Sequence, residues 1–371
     1  MQETDLPGLI RQVLWAAFAL GVAFGAIAQR THYCTMGAIA DVFSMRDFSR
    51  ARMWALAVGV AILGFNGMAA LGLVDATDSV YARHDLIWLS NLVGGALFGF
   101  GMVLASGCGS KTLVRIGGGS LKSLVVFCVL GLASYATLRG LTAVWRVQTL
   151  DLVQVTLPVP QDLPSLLAWA TGWDRTMLIA LLGGAIGVAI VAWVVRVPEG
   201  RSRDTLLGGI GIGAVIVAAW WVSGRLGHLA EHPLTLEETF LATNTRSMES
   251  FTFVAPIAYT LDWLILYSDA NKMLTFGIVS VIGVIVGSAA MALATGRFRW
   301  EGFVGTEDTA NHVVGGTLMG IGGVTAFGCT VGQGLSGVST LSLGSALAVA
   351  GIVGGAWLAL HYQSWRLDRL A

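Results

Sequence analysis

Apolar residues run along this chain in long stretches separated by brief polar interruptions, and the stretches recur from one end to the other. A helix needs roughly 20 apolar residues to cross a hydrocarbon core of about 30 Å. Eight runs approach or exceed that length: Leu9 to Ala28, Met53 to Val74, Leu86 to Ser106, Leu124 to Trp145, Thr176 to Val195, Leu206 to Ser223, Met273 to Ala294 and Leu341 to Leu360. Two more are ambiguous. Phe251 to Tyr267 carries Asp262, and Val313 to Phe327 holds only 15 residues. As a helix the latter covers roughly 22 Å, so it is expected to stop inside the membrane.

The pattern predicts an all-α polytopic membrane protein with about nine transmembrane helices, supplemented by short re-entrant helices or loops. No polar linker divides it, so residues 1–371 read as a single integral domain. The two longest polar stretches, Arg146 to Asp174 and Gly227 to Glu249, are expected to form short interfacial helices. The acidic start, MQETDLPG, lacks a basic region and a small-residue cleavage site, which predicts that the first helix is retained.

Composition agrees with the pattern: 55% of residues are hydrophobic and 12% charged, against about 25% charged in soluble domains. Net charge is zero, which gives no reason to expect nucleic acid as a partner. Arg30, Arg46, Arg50 and Arg52 cluster after the first run, and Arg196, Arg201 and Arg203 after the fifth. The positive-inside rule then assigns both groups to the cytoplasm and the N-terminus to the outside. Arg366 and Arg369 predict a cytoplasmic C-terminus, hence an odd number of crossings.

Internal repetition is the strongest organisational signal. At an offset of 221 residues, VGGALFGFGMVLASGC (Val93 to Cys108) faces VGGTLMGIGGVTAFGC (Val314 to Cys329), and ten of the sixteen positions are identical. Gly95 and Gly99 precede Cys108 by thirteen and nine residues, as Gly316 and Gly320 precede Cys329 and Gly21 and Gly25 precede Cys34. Such GxxxG faces are expected to pack helices closely, because glycine lets backbones approach in lipid. FRWEG (Phe298 to Gly302) reads as a degenerate counterpart of YCTMG (Tyr33 to Gly37). The chain therefore reads as two repeated halves, roughly 1–170 and 171–371, a construction that many transporters use to build a site at the bilayer midplane.

GCGSK and GCTVGQG are poor helix formers, and so read as breaks. A fresh helix after a break exposes free N–H groups and a positive dipole end, suited to an anion. Lys111 and Arg115 add charge after the first break; Gln333 and Ser336 offer hydrogen bonds after the second. Thr35, Ser110 and Thr330, each close behind a cysteine, complete the possible substrate contacts. Thiols are soft and polarisable, so Cys34, Cys108 and Cys329 along one path would suit a sulfur-bearing substrate. Cys128, in LVVFCVLG, reads as a small buried hydrophobe. Asp41, Glu301, Glu307 and Asp308 read as solvated loop carboxylates. No CxxC appears, and the His228/His232 pair, beside Pro233, reads as solvated surface, so no metal or cofactor is expected. No GxSxG, HExxH or P-loop points to an enzyme.

THYCTMGAIAD, GFGMVLASGCGSKTLVRIGGGS and GGVTAFGCTVGQGLSG together resemble the signature segments of the YeeE/YedE family of bacterial inner-membrane proteins, whose best understood members take up thiosulfate. The resemblance implies an hourglass of repeated halves in the inner membrane. It also implies that Cys34, Cys108 and Cys329 line the thiosulfate route and pass the anion by S–H···S contacts. A separate TusA-like sulfur carrier would be the cytoplasmic partner. Two alternatives stay open: transport of a selenium or other sulfur species, and a membrane thiol oxidoreductase using the same cysteines.

Overall fold

The computed structural model describes residues 6–233, 236–269 and 271–370; the acidic start up to Asp5 lies outside them. The first helices are α1 (Leu6–Thr31), α2 (Thr35–Met45), α3 (Ser49–Ala70), α4 (Trp88–Leu104), α5 (Gly109–Gly117), α6 (Leu121–Arg139), α7 (Leu141–Gln148) and α8 (Leu163–Thr171). The remainder are α9 (Arg175–Val195), α10 (Arg203–Trp221), α11 (Val254–Ile265), α12 (Phe276–Ala294), α13 (Thr306–Thr325) and α14 (Leu343–Leu370). One π-helical turn extends α10 over Val222–Leu226, and another, Gly332–Gly337, follows α13. Strand structure among the described residues is confined to two-residue pairings: Asp85–Leu86 with Val155–Thr156, and His228–Leu229 with Thr239–Phe240.

Eight segments among the described residues are long and apolar enough to cross a membrane. α13 and the π-turn behind it make a further, interrupted pass. Near its start Asp308 pairs with Lys122 at 2.9 Å, and beyond its far end the Leu341 carbonyl accepts from Leu163 N, on the other face. The arginine-rich face is tied together by Arg30–Asp204 at 3.6 Å and Arg52–Glu199 at 3.3 Å. The opposite face carries Arg175–Asp75 at 3.6 Å and His228–Glu238 at 2.6 Å.

Close backbone approach holds the bundle. A Cβ on Gly21 would come within 2.7 Å of the Ser280 carbonyl of α12, and one on Gly95 within 2.5 Å of the Ala348 carbonyl of α14. Gly25 and Gly99 lie one turn further along the same contacts, against α12 and α14. A Cβ on Gly320 would lie 2.7 Å from the Leu130 carbonyl of α6, whereas one on Gly316 would come no closer than 3.3 Å, to the Val129 side chain.

α4 and α13, the helices carrying the sixteen-residue match, run antiparallel through the centre. Gly94 abuts Gly322, the counterpart of Gly101, and Gly101 abuts Gly315, the counterpart of Gly94. That exchange is the signature of a two-fold axis lying in the membrane plane.

Several expectations need correction. FRWEG is not the counterpart of YCTMG: it is an extended loop on the arginine-rich face, where the Arg299 and Glu301 amides donate to the Gly118 and Gly119 carbonyls. The segment at the 221-residue offset from Tyr33–Gly37 is instead Val254 to Ala258, the first turn of α11. The Leu124 to Trp145 run is split at Gly140, where extended backbone ends α6 and caps α7. Described residues of the stretch from Gly227 to Glu249 form a hairpin and turns, not a helix. Cys128 is exposed on the outer surface of α6, not buried. Asp41 is not solvated: it is 3% exposed and ion-paired with Arg50.

Candidate functional site

The three cysteines share one local construction. Two residues before each, a non-glycine residue adopts left-handed backbone: His32 at φ 56°, Ser106 at φ 56° and Phe327 at φ 62°. The following amide then bonds back five residues, Tyr33 N to Ala28 O at 3.2 Å, Gly107 N to Met102 O and Gly328 N to Gly323 O at 2.8 Å each. This is a Schellman ending, which satisfies terminal carbonyls that lipid cannot. L-residues adopt this conformation at a cost of roughly 1–2 kcal/mol, and such strain collects at functional sites.

Each cysteine then opens a new helix or turn. Cys34 is the N-cap of α2, its Sγ accepting from Gly37 N at 3.3 Å. Cys108 is the N-cap of α5, with its Sγ 3.3 Å from Ser110 Oγ. Cys329 Sγ accepts from Gly332 N, 3.4 Å away, in the turn that leads into the π segment. A fourth helix start, α11, is capped by Phe253 and carries no thiol. Phe253 lies in a cluster with Phe24 and Phe251, ring centroids 5.4 and 5.9 Å away, and adjoins the start of α5 at Gly109. Three helix starts and one turn therefore open inside the bundle, and three of the four present sulfur.

Cys108 is within electrostatic reach of both Cys34 and Cys329. None of the three is open to solvent: Cys108 and Cys329 are fully buried and Cys34 is 8% exposed. All are free thiols.

The other expected contacts fall into two groups. Lys111 sits beside Cys34, Cys108 and Arg115, and among the described residues it makes no ion pair. Thr35 and Ser110 are buried at the starts of α2 and α5. Thr330 Oγ1 is buried without a hydrogen-bond partner. Gln333, by contrast, uses both ends of its amide within the fold. Its Nε2 donates to the Ala326 carbonyl at 2.6 Å and its Oε1 accepts from Ser345 Oγ at 2.6 Å, pinning the π-turn to α13 and α14. Ser336 Oγ is likewise spent on the Phe251 carbonyl at 2.7 Å.

Sequence reasoning missed the residues that hold the second break in place. Tyr81 Oη donates to the Gly332 carbonyl at 2.7 Å, Asn66 Nδ2 to the Ser339 carbonyl at 2.9 Å, and Trp220 Nε1 to Ser339 Oγ at 3.0 Å. Their sequence contexts carry no motif; only the demand that irregular backbone in a membrane be satisfied calls for them.

Away from the arginine-rich face, a cavity of about 130 Å³ reaches down to Gly328, next to Cys329. Arg146, Glu249, Phe251 and Phe327 line it, and the Arg83 guanidinium covers the Phe327 ring at 4.0 Å. Burial pushes the Glu249 carboxyl up to about 7, against a weak opposing hydrogen bond from Thr245. Asp78 nearby rises to about 6, through burial first and then the charges of Asp75 and Glu238.

Broken helices meeting at a shared, thiol-bearing centre define a polytopic membrane protein of the kind in which irregular backbone surrounds a transport site. The chain belongs to the sulphur transport family, which it matches over residues 30–358. It is similar to the thiosulfate transporter TsuA of Spirochaeta thermophila, at 27% identity over 96% of this chain and 100% of that protein. TsuA of Escherichia coli K12 is 25% identical over 95% and 96% of the two chains. A shorter match, 28% identity over 28% of this chain and 24% of the relative, links it to the probable transporter YedE of E. coli K12.

Proposed function

We propose that this chain imports thiosulfate across the bacterial inner membrane, with Cys329, Cys108 and Cys34 as successive stations from outside to inside. Membership of the sulphur transport family and end-to-end similarity to two proteins named thiosulfate transporters support the substrate. The observation that carries the route is the triple recurrence of one device: a left-handed residue, a spacer, and a thiol that opens the next helix or turn.

The chemistry follows from that device. A dianion leaving water needs compensation, which the positive ends of α2 and α5 supply together with Lys111 and Arg115. A soft thiol meets the terminal sulfur by S–H···S contact, strong enough to hold it and weak enough to release it. Ser110, Thr35 and Thr330 offer hydrogen bonds beside the thiols, and Gln333 acts by fixing the π-turn. Because the cysteines are sealed, passage requires the breaks to part in turn. The arginine-rich face is the cytoplasmic exit, where a separate TusA-like carrier would receive the sulfur.

Uptake of labelled thiosulfate into proteoliposomes tests the substrate. Accumulation above empty vesicles, competed by unlabelled thiosulfate and not by sulfate, is the expected result. No accumulation, or stronger competition by a selenium oxyanion, would replace thiosulfate as the substrate.

A further inference from the structure

Tyr33 lies between the left-handed His32 and the capping Cys34, and is 4% exposed. Among the described residues its Oη is buried with no hydrogen-bond partner, and the groups that share its electrostatic surroundings are Cys108 and Cys34. A buried hydroxyl left unpaired weakens a fold unless something else completes it. Phenylalanine would fill the same space without that penalty.

Lys111 makes the same demand with charge. It is the third residue of α5, at the positive end of the helix dipole, where a cation is disfavoured. Arg115, Arg50 and His32 are its charged or titratable neighbours, and the cysteines apart they are all basic. Arg50 is paired with Asp41, which leaves no carboxylate for Lys111. Arg297 donates toward His32 Nε2 at 2.9 Å, adding a further cation to that side. A helix start, an unpaired ammonium and an unpaired hydroxyl are thus grouped with two thiols, and the carboxylates nearest that group, Asp41 and Asp204, are engaged by Arg50 and Arg30.

We infer that Tyr33 Oη and Lys111 Nζ form the seat for the oxygen end of the transported anion, leaving the thiols of Cys34 and Cys108 to its sulfur end. This rests on the transport reading above and deepens it. Hydroxyl and ammonium are hard donors that match sulfonate-type oxygens, whereas the thiols match polarisable sulfur. The seat therefore fixes the direction in which an elongated, two-ended anion lies. It selects for a sulfur species that carries oxyanion oxygens over one that does not. Because Oη is occluded, the seat completes itself only as the starts of α2 and α5 move apart.

The test is the concentration dependence of thiosulfate uptake in proteoliposomes for the wild type, Tyr33→Phe, Lys111→Gln and Lys111→Arg, with thermal unfolding of each purified protein. Tyr33→Phe is expected to raise KM about tenfold, the loss of one hydrogen bond to a charged group, with the maximal rate held within about twofold. Its unfolding temperature stays level or rises, which a structural hydroxyl would not allow. Lys111→Gln raises KM further, and Lys111→Arg recovers most of it. Wild-type uptake with an unchanged KM in Tyr33→Phe overturns the seat, even if Lys111→Gln is impaired. A wild type that moves no thiosulfate overturns the transport reading and the seat together.

Discussion

At Cys34 and Cys108 a thiol stands where helices ordinarily place Ser, Thr, Asp or Asn. It is the weaker cap, so its presence is better explained by what sulfur does for a ligand than by what it does for the helix. Cys34→Ser should therefore hold or raise stability, by up to about 1 kcal/mol, while lowering thiosulfate uptake at least tenfold. Thermal unfolding and vesicle uptake measured on one preparation separate the two effects, and a stable, fully active serine variant would remove the thiol from the mechanism. Glu249 makes a second prediction. Its carboxyl titrates near 7 in the external cavity, so it is neutral below that value and negative above. An anion should bind less well as pH rises through about 7, and Glu249→Gln should flatten that limb of the profile. The stability sign runs the same way: a raised carboxyl pKa lowers stability as pH climbs from the ordinary carboxylate range to about 7. Neither Glu249 nor Tyr33 was legible in the sequence, since what distinguishes them is burial, and for Tyr33 a missing partner, and both depend on neighbours brought from distant segments.

At the scale of elements, the glycines decide which helices touch. Gly99→Val should lower stability by about 3 kcal/mol, the upper range for overpacking, because its side chain would strike the Ile352 and Ala356 backbone. Gly67→Ala, in α3 with nothing within 4 Å of the added carbon, should gain up to about 1 kcal/mol of helix propensity instead. Unfolding midpoints of the two variants check the contrast. The glycine spacings, the two breaks and the short apolar run ending at Phe327 could all be read from the chain, because lipid imposes length and backbone satisfaction directly on local sequence. The end of α6 at Arg139 could not, since Gly140 interrupts a run whose hydropathy continues through Trp145. FRWEG misled for a related reason: five residues of loose similarity outweighed position, whereas the 221-residue offset led to α11, whose sequence has lost the cysteine.

Across the whole molecule, α4 and α13 run in opposite senses and exchange glycine contacts about a common axis. Opposed passes of this kind put one break toward each side of the membrane, which is the geometry alternating exposure needs. The external cavity ends at Gly328, before Cys329; Lys111 and Arg115 stand on the other side, beside Cys108 and Cys34. The central claim is that sulfur passes along thiols without being covalently kept. Mass spectrometry of protein held under turnover should find all four cysteines unbridged, and a disulfide that accumulates with turnover would favour thiol exchange chemistry. The most direct measurement is the rate of labelled thiosulfate uptake by the wild type, Cys108→Ala, Cys329→Ala and the double variant, at matched amounts of folded protein. The expected result is loss of at least tenfold in each single variant and no measurable uptake in the double; full transport by the double variant would contradict the thiol route.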